Sequence, residues 1–415
     1  MKDMLGRTAA LEAHTAQSLI LDSLKAQKTA TEMIHIDEAL GRVLSETVAS
    51  AEDLPGFSRS TMDGFAVMAS DTFGATETSP AYLEVSGEIG MGQEPDTPLK
   101  QGQAIRIATG GMIPQGADSV LMFEYASETG SSIIEVQRAL APGENIIQRG
   151  EDMRLGETIL ARGARLRPQD VAVLASAGIV RVEAFKRPRV SIISTGNEIV
   201  PPDEELRPGL IRDSNSYLLA SFLESAGAVP LKCGIMQDDF EQICHALEAA
   251  ADNSDMVLIS GGSSVGTRDM TERAIECLGN ILFHSVQIRP GKPFLAGSVK
   301  GTPVFGLPGH PRAVAVCFEV FVLPALVRIS GESEHESRSL RGTVTAQMKK
   351  SVHSSAGRRE YIDVTLESVD GELWAEPLLG KSGLLRTIVR ADGRICVPVG
   401  KPGLDSGETV TVTLY

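Results

Sequence analysis

The 415-residue chain is poor in cysteine and in aromatic residues, with five cysteines, one tryptophan and aromatics at only 4%. The cysteines, at 233, 244, 277, 317 and 396, form no CxxC pair and no zinc-ligand spacing, which excludes a zinc ribbon or a disulfide framework. Cys233, Cys244, Cys277 and Cys317 lie in apolar or helical stretches and read as buried small side chains. A reduced, cytoplasmic setting is therefore expected. The first residues, MKDMLGRTAALEAH, lack the apolar core of a secretory leader. No apolar run reaches the ~18 residues of a membrane span; Val314 to Ile329 comes nearest, and Glu319, Pro324 and Arg328 interrupt it. Positive charge is scarce as well. Lys and Arg number 39 against 54 Asp and Glu, a formal net charge of −15, and no basic stripe offers itself to nucleic acid or to an anionic membrane. GxxxxGK[ST] and HExxH are absent, and the histidines (14, 35, 245, 284, 310, 335, 353) do not cluster at ligand spacing, which argues against a P-loop NTPase and a zinc protease. The glycines near 261 do not form GxGxxG, which disfavours a dinucleotide site.

What is abundant is punctuation. With 41 glycines and 21 prolines, the chain predicts many turns and short strands, and its length predicts two to four domains. Leu5 to Leu24 reads as an amphipathic helix and Ala39 to Val48 as a short bent one. The segment from Leu83 to Val136 alternates strand and turn, as in a small β-barrel. From Pro188 to Ile329 strands alternate with helices, the pattern of a parallel sheet covered on both faces. The final stretch beyond the charged segment 331–339 is again β. The fold class expected is thus α/β plus all-β domains.

Three turns stand close together in the α/β stretch. GGSSVG (261–266) follows the apolar strand Met256 to Ile259 and opens a helix, where free backbone N–H groups favour an anion. RPGKP (289–293) carries two cations on a stiff backbone, and GLPGHP (306–311) opens the next helix. Such turns gather outside the strand ends of an open α/β sheet, where ligands bind. Each taken alone has a plainer reading. Gly261-Gly262 is a tight turn, Asp63 an Asx-turn residue, Asp269 an N-cap, Glu198 and Asp238 loop acids, Thr109 a turn hydroxyl, and Arg289 with Lys292 solvated surface cations.

Together, GGSSVG, RPGKP and GLPGHP resemble the molybdopterin molybdenumtransferase family, which includes MoeA and the E domain of gephyrin. Further ordered landmarks extend the resemblance over nearly the whole chain: LPGFSRSTMDGFAV, RIATGGMIPQGADSVLM, RGEDMRLGE, RPRVSIISTGNEI, IRDSNS and GIMQDD. The resemblance implies insertion of molybdate into adenylylated molybdopterin, with Mg²⁺-dependent release of AMP. It implies an elongated homodimer and, as a partner, the molybdopterin adenylyltransferase that supplies the substrate. Four domains follow from it: 1–50 with 145–185 (the first helix assigned either here or against the α/β domain), a β-barrel-like 51–144, an α/β molybdopterin-binding 186–330, and a C-terminal barrel 331–415. Residue by residue, it implies that Asp63, Glu198, Asp238 and Asp269 serve the Mg²⁺-bound phosphates, with Asp63, Glu198 and Asp269 as metal ligands. Gly261, Gly262, Ser263 and Gly266 would meet the ligand at the glycine turn and Thr109 would lie against it. Arg289 and Lys292 would clamp the oxyanion, Pro308 and Pro311 would shape the wall, and Ser382 would sit near the oxyanion.

The chain departs from the family around that oxyanion. Ser285 replaces a usual cation, His310 the usual Asn of GLPGNP, Ala313 a small hydroxyl residue, and Asp363 an arginine. Two cations and a hydroxyl are lost and a carboxylate is gained, with Arg312 and Arg358 near enough in sequence to compensate. These changes predict weaker molybdate binding, tightened by Asp363→Arg. They leave open an alternative: a scaffold or altered-specificity relative, for tungstate or for pterin alone.

Overall fold

The computed structural model describes residues 10–24, 28–130, 132–261, 265–333, 342–354 and 357–415, and of 265–269 the helical backbone only. Its centre is a six-stranded sheet in the order Val229–Met236, Arg189–Thr195, Met256–Gly261, Thr302–Leu307, Leu295–Val299, Gly279–His284. The first four strands run parallel, and a hairpin adds Leu295–Val299 antiparallel to Thr302–Leu307. Because successive side chains point to opposite faces, Val190, Ile192, Met256 and Leu258 join one core with Leu219, Leu223, Phe318 and Phe321. Ile193, Val257 and Ile259 join another with Ile243, Leu247 and Ile275. The expected two-faced sandwich is present.

The helix Ala13–Ser23 packs Ala13, Ala16 and Ile20 into the first of these cores, so the N-terminal helix belongs with the α/β domain. Ala39 to Val48 is not helical. Gly41 takes φ +73°, and Val43 and Leu44 form bridges to Arg165 and Ala184. Long-range pairing overrode a weak helical pattern. Around it, Thr31–His35 pairs antiparallel with Arg181–Phe185, and Val48–Ala49 with Thr158–Leu160, so two distant segments share one small core of Ile34, Leu44, Leu166, Leu174 and Val182. The segment between them holds a curled six-stranded sheet, Gly64–Val67 at its heart. Of the four cysteines read as buried, only Cys317 is; Cys233 and Cys277 are exposed and Cys244 is half-buried.

The helix after GLPGHP runs Pro311–Cys317, loosens into a π turn at Phe318–Val322, and resumes as Leu323–Ile329. Pro324 has no N–H to donate, which accounts for the wider turn before it. The C-terminal domain is a closed five-stranded barrel. Arg359–Val369 pairs with both Glu372–Pro377 and Gly393–Val397, and the ring closes through Thr343–Met348 and Thr409–Leu414. A further short helix, Leu385–Arg390, has no signal in the sequence reading.

A strand pairing and a buried charge cluster are prominent among the contacts that join barrel to α/β domain. Ile288–Arg289 adds a parallel strand to Arg359–Glu360. Beside it, Asp363 is 0% exposed and accepts hydrogen bonds from Arg312 Nε (2.5 Å), Arg394 Nε (3.0 Å) and the Tyr415 hydroxyl (2.5 Å). Arg394, also buried, reaches Glu319 at 2.7 Å and the Tyr415 hydroxyl. The expectation that Asp363 sits in an oxyanion pocket is thereby corrected: its carboxylate is consumed by two arginines inside the structure. Ser285 departs likewise. It takes φ +78°, exchanges backbone hydrogen bonds with Leu11 and Phe294, and is not in the lining of the cavity beside the barrel.

Burial pushes the Asp363 carboxyl up, but the Arg394 and Arg312 charges and the Tyr415 hydroxyl more than reverse this and hold it below its usual 3.8. A depressed carboxylate contributes stability above the unfolded value, and that stability is lost as pH falls through the folded one. Asp363→Asn, which strands buried guanidinium groups, is expected to cost about 3–5 kcal/mol at pH 7. The deficit should shrink below about pH 4. Urea unfolding at pH 7 and pH 3.5 checks both. Asp363→Arg is now expected to disrupt the barrel contact, not to tighten an anion site.

Candidate active site

Strand order fixes where a ligand can sit. From Arg189–Thr195 the chain steps outward to Val229–Met236, then returns to the other side as Met256–Gly261. At this reversal the loops diverge and leave a crevice at the strand ends. Thr195 stands beside Gly261 in register. Gly261 has φ +148°, and a Cβ there would lie 2.0 Å from the Thr195 carbonyl oxygen, so only glycine permits this approach.

Three buried oxygens at this edge have no hydrogen-bond partner among the described residues: Thr195 Oγ1, Asn215 Oδ1 and Asp238 Oδ1. Each is held in place by its surroundings. The Asn215 amide donates to Ser260 Oγ (3.0 Å) and to the Gly309 carbonyl (2.9 Å), and the Asp238 N–H donates to Asn197 Oδ1 (3.0 Å). Glu198 follows directly, its Oε2 2.9 Å from where a Cβ on Gly196 would stand. Unpaired buried acceptors are costly. A set of hard oxygens of this kind suits Mg²⁺ with substrate phosphates, or a ligand rich in N–H donors. Among the described residues no three acidic, His or Cys side chains gather as a complete metal site, so Glu198 and Asp238 would hold a cation only as part of a shared shell. Thr195 and Asn215 were not singled out in the sequence. Ordinary polar residues carry no signal until a fold leaves them unpaired.

Gly262 and Ser263 lie outside the described residues. Gly266 and Asp269 fall within the helix Val265–Leu278. The helix begins before Asp269, so Asp269 is not its N-cap. Asp63 and Thr109 do meet, but elsewhere. The Thr109 N–H donates to Asp63 Oδ1 at 2.7 Å on the curled sheet domain. That bond and a second from the Thr109 hydroxyl hold the Asp63 carboxyl below its usual range.

Two cavities adjoin the sheet edge. The smaller, about 200 Å³, is lined by Gly261, Thr271, Gly306, Pro308 and His310 among others. The larger, about 500 Å³, lies between the RPGKP turn, the GLPGHP turn and the barrel. Among the described residues, four cations line it, Arg289, Lys292, Arg312 and Arg358, against one acid, Glu360, which pairs with Arg289 at 3.4 Å. Ser382 and Ala313 are on its wall, whereas Pro311 is buried in the helix start. Pro293, Pro308 and His310 border both cavities. The Arg312 guanidinium spans the domain boundary, donating to Asp363 and to the Gly380 and Tyr361 carbonyls (3.2 and 3.4 Å). Among the described residues, none lining either cavity comes from the domain of Asp63 and Thr109. His353 and Glu360 on the wall were missed in the sequence, since their motif lies a domain away.

Comparison with known proteins agrees with this arrangement. Residues 11–178 match the family described as MoeA N-terminal region (domain I and II), 191–328 the probable molybdopterin binding domain, and 345–415 the MoeA C-terminal region (domain IV). A molybdopterin molybdenumtransferase of Nostoc sp. is 34% identical over 388 residues, covering 92% of this chain and 88% of its own. One from Bacillus subtilis is 34% identical, covering 92% and 90%. The crystal structure of the molybdopterin biosynthesis MoeA protein of Pyrococcus horikoshii superposes with a TM-score of 0.86 at 34% identity, over 98% of this chain and 100% of that one.

Gly291 sets the cation turn. Its φ is +117°, and a Cβ there would stand 2.8 Å from both Cys317 Sγ and Ile288 Cδ1. Gly291→Ala is expected to cost about 1–3 kcal/mol in backbone strain, with further cost from the displaced core atoms. Chemical denaturation of the variant measures this; a change under a few tenths would show that the turn is not so constrained.

Proposed function

The chain belongs to the MoeA family, and from that premise we propose that it acts as a molybdopterin molybdenumtransferase in molybdenum cofactor biosynthesis. The observation that carries the reading is a sheet edge with unpaired oxygens standing near a cavity lined by cations. One edge offers unpaired oxygens, and the neighbouring cavity offers four cations. Adenylylated molybdopterin would lay its phosphates along the glycine turn and the oxygens of Asp238, Thr195 and Asn215. Its dithiolene would then reach toward Arg289 and Lys292, where a tetrahedral dianion would be held by charge and by the Ser382 hydroxyl. Mg²⁺ bound with Glu198 and Asp238 would shield the phosphates. Asp269 on the helix after the glycine turn is the residue we assign to anhydride cleavage, and the helix start favours the departing phosphate. Molybdate and tungstate fit the cavity equally by charge and shape.

The scaffold alternative loses its main support, because Asp363 is spent inside the barrel contact and Arg312 brings a guanidinium to the cavity wall. Since Asp63 and Thr109 line neither cavity, we propose that a second copy of the chain supplies them. The active form would be a homodimer, cytoplasmic, taking its substrate from the adenylyltransferase.

Incubation of the protein with adenylylated molybdopterin, Mg²⁺ and molybdate should yield AMP and cofactor, and failure to release AMP sinks the reading. Asp269→Asn should lower AMP release by about 10²-fold or more while leaving the fold intact. Mixed Asp63→Ala and Asp269→Ala chains should regain partial activity under verified subunit exchange. Absence of rescue would place the whole site in one chain.

A further inference from the structure

His310 occupies a position that the proposed reaction has not yet used. It is the N-cap of the helix Pro311–Cys317, with an extended backbone (φ −84°, ψ 127°). Gly309 before it is fixed by the Asn215 amide, and the Arg312 N–H after it donates to the Ser382 carbonyl at 3.3 Å. Its Nδ1 lies 2.9 Å from Ser382 Oγ. Gly383 lies beside the ring, with a would-be Cβ 3.5 Å from Cδ2. The ring is therefore held at one nitrogen by a hydroxyl of the barrel domain, on the wall common to both cavities.

Resting on the transferase reading, we propose that His310 takes up a proton when the oxyanion binds and passes it to the oxygen that leaves. The chemistry requires such a proton. As two thiolates of the dithiolene bond to the metal, one metal–oxygen bond breaks and the metal keeps its oxidation state. The oxide departs as water, which needs two protons, and the product stays a dianion. One proton comes from His310, directly or through Ser382 Oγ, and the other from solvent.

The surroundings make the uptake conditional. Lining the larger cavity with His310 are Arg312 on its own helix, Arg289 and Lys292 on the cation turn, and Arg358, His353 and Glu360 from the barrel, while Lys381 precedes Ser382 in sequence. A dianion entering this cavity brings negative charge beside the ring and favours the protonated imidazole. Histidine is the side chain suited to gain a proton near neutral pH under that change.

Calorimetric titration of the full-length protein with molybdate at pH 7, in two buffers of different ionisation enthalpy, reads the proton count directly and needs no turnover. The wild type should take up a sizeable fraction of a proton per oxyanion, about 0.3 or more. His310→Asn and His310→Gln should bind with nearly none, and His245→Gln, on the helix Phe240–Asn253 and in the lining of neither cavity, should behave as wild type. Wild-type binding without proton uptake, or equal uptake in both His310 variants, overturns the proposal and leaves the transferase reading standing. No molybdate binding by any of these proteins would count against the oxyanion cavity itself, and with it both readings.

Discussion

The architecture depends on a buried charge network between two domains. Asp363, Arg394 and Arg312 are nearly sealed from solvent, and isolated charges at such depth would be prohibitive. They are tolerated because each is hydrogen-bonded to another: Asp363 to both arginines and Tyr415, and Arg394 also to Glu319. A network of this kind adds little net stability over apolar packing, yet it penalises any arrangement that separates its members. It therefore fixes the barrel against the helix after GLPGHP in one orientation. The parallel pairing of Ile288–Arg289 with Arg359–Glu360 locks the same seam from the other side.

The larger cavity is a consequence of that seam. Its walls come from two turns of the α/β domain and from the barrel, and neither set would enclose a volume alone. Arg312 belongs to both, since the guanidinium that satisfies Asp363 also reaches the Gly380 and Tyr361 carbonyls and lines the cavity. Structural and ligand-facing roles are thus combined in one side chain. The sheet edge nearby follows different physics. There the reversal of strand order, and a glycine where a Cβ would collide with Thr195, open the crevice and leave three oxygens without partners among the described residues.

Much of this was legible in the chain. The α/β alternation from Pro188, the two-faced apolar strands and the C-terminal strands follow from periodicity, because burial on one or two faces writes directly into sequence. The glycine and proline turns were legible for a related reason, since few residues tolerate those backbone angles. Ala39 to Val48 misled because its apolar residues serve bridges to partners more than a hundred residues away. The cysteines misled because small apolar neighbours do not guarantee burial: Cys233 and Cys277 sit on outward faces.

By itself the sequence determined the local elements, the order of the motifs and the family they resemble, since these depend on neighbours within a few turns of chain. Only the tertiary structure decided what the charges mean. Asp363 reads as a carboxylate gained where an anion should bind, and the fold turns it inward to neutralise two arginines. Arg312 reads as a neighbour of a turn, and the fold makes it the bridge between domains. The sign and reach of an electrostatic interaction depend on distance and burial, and neither is set until segments far apart in sequence have packed.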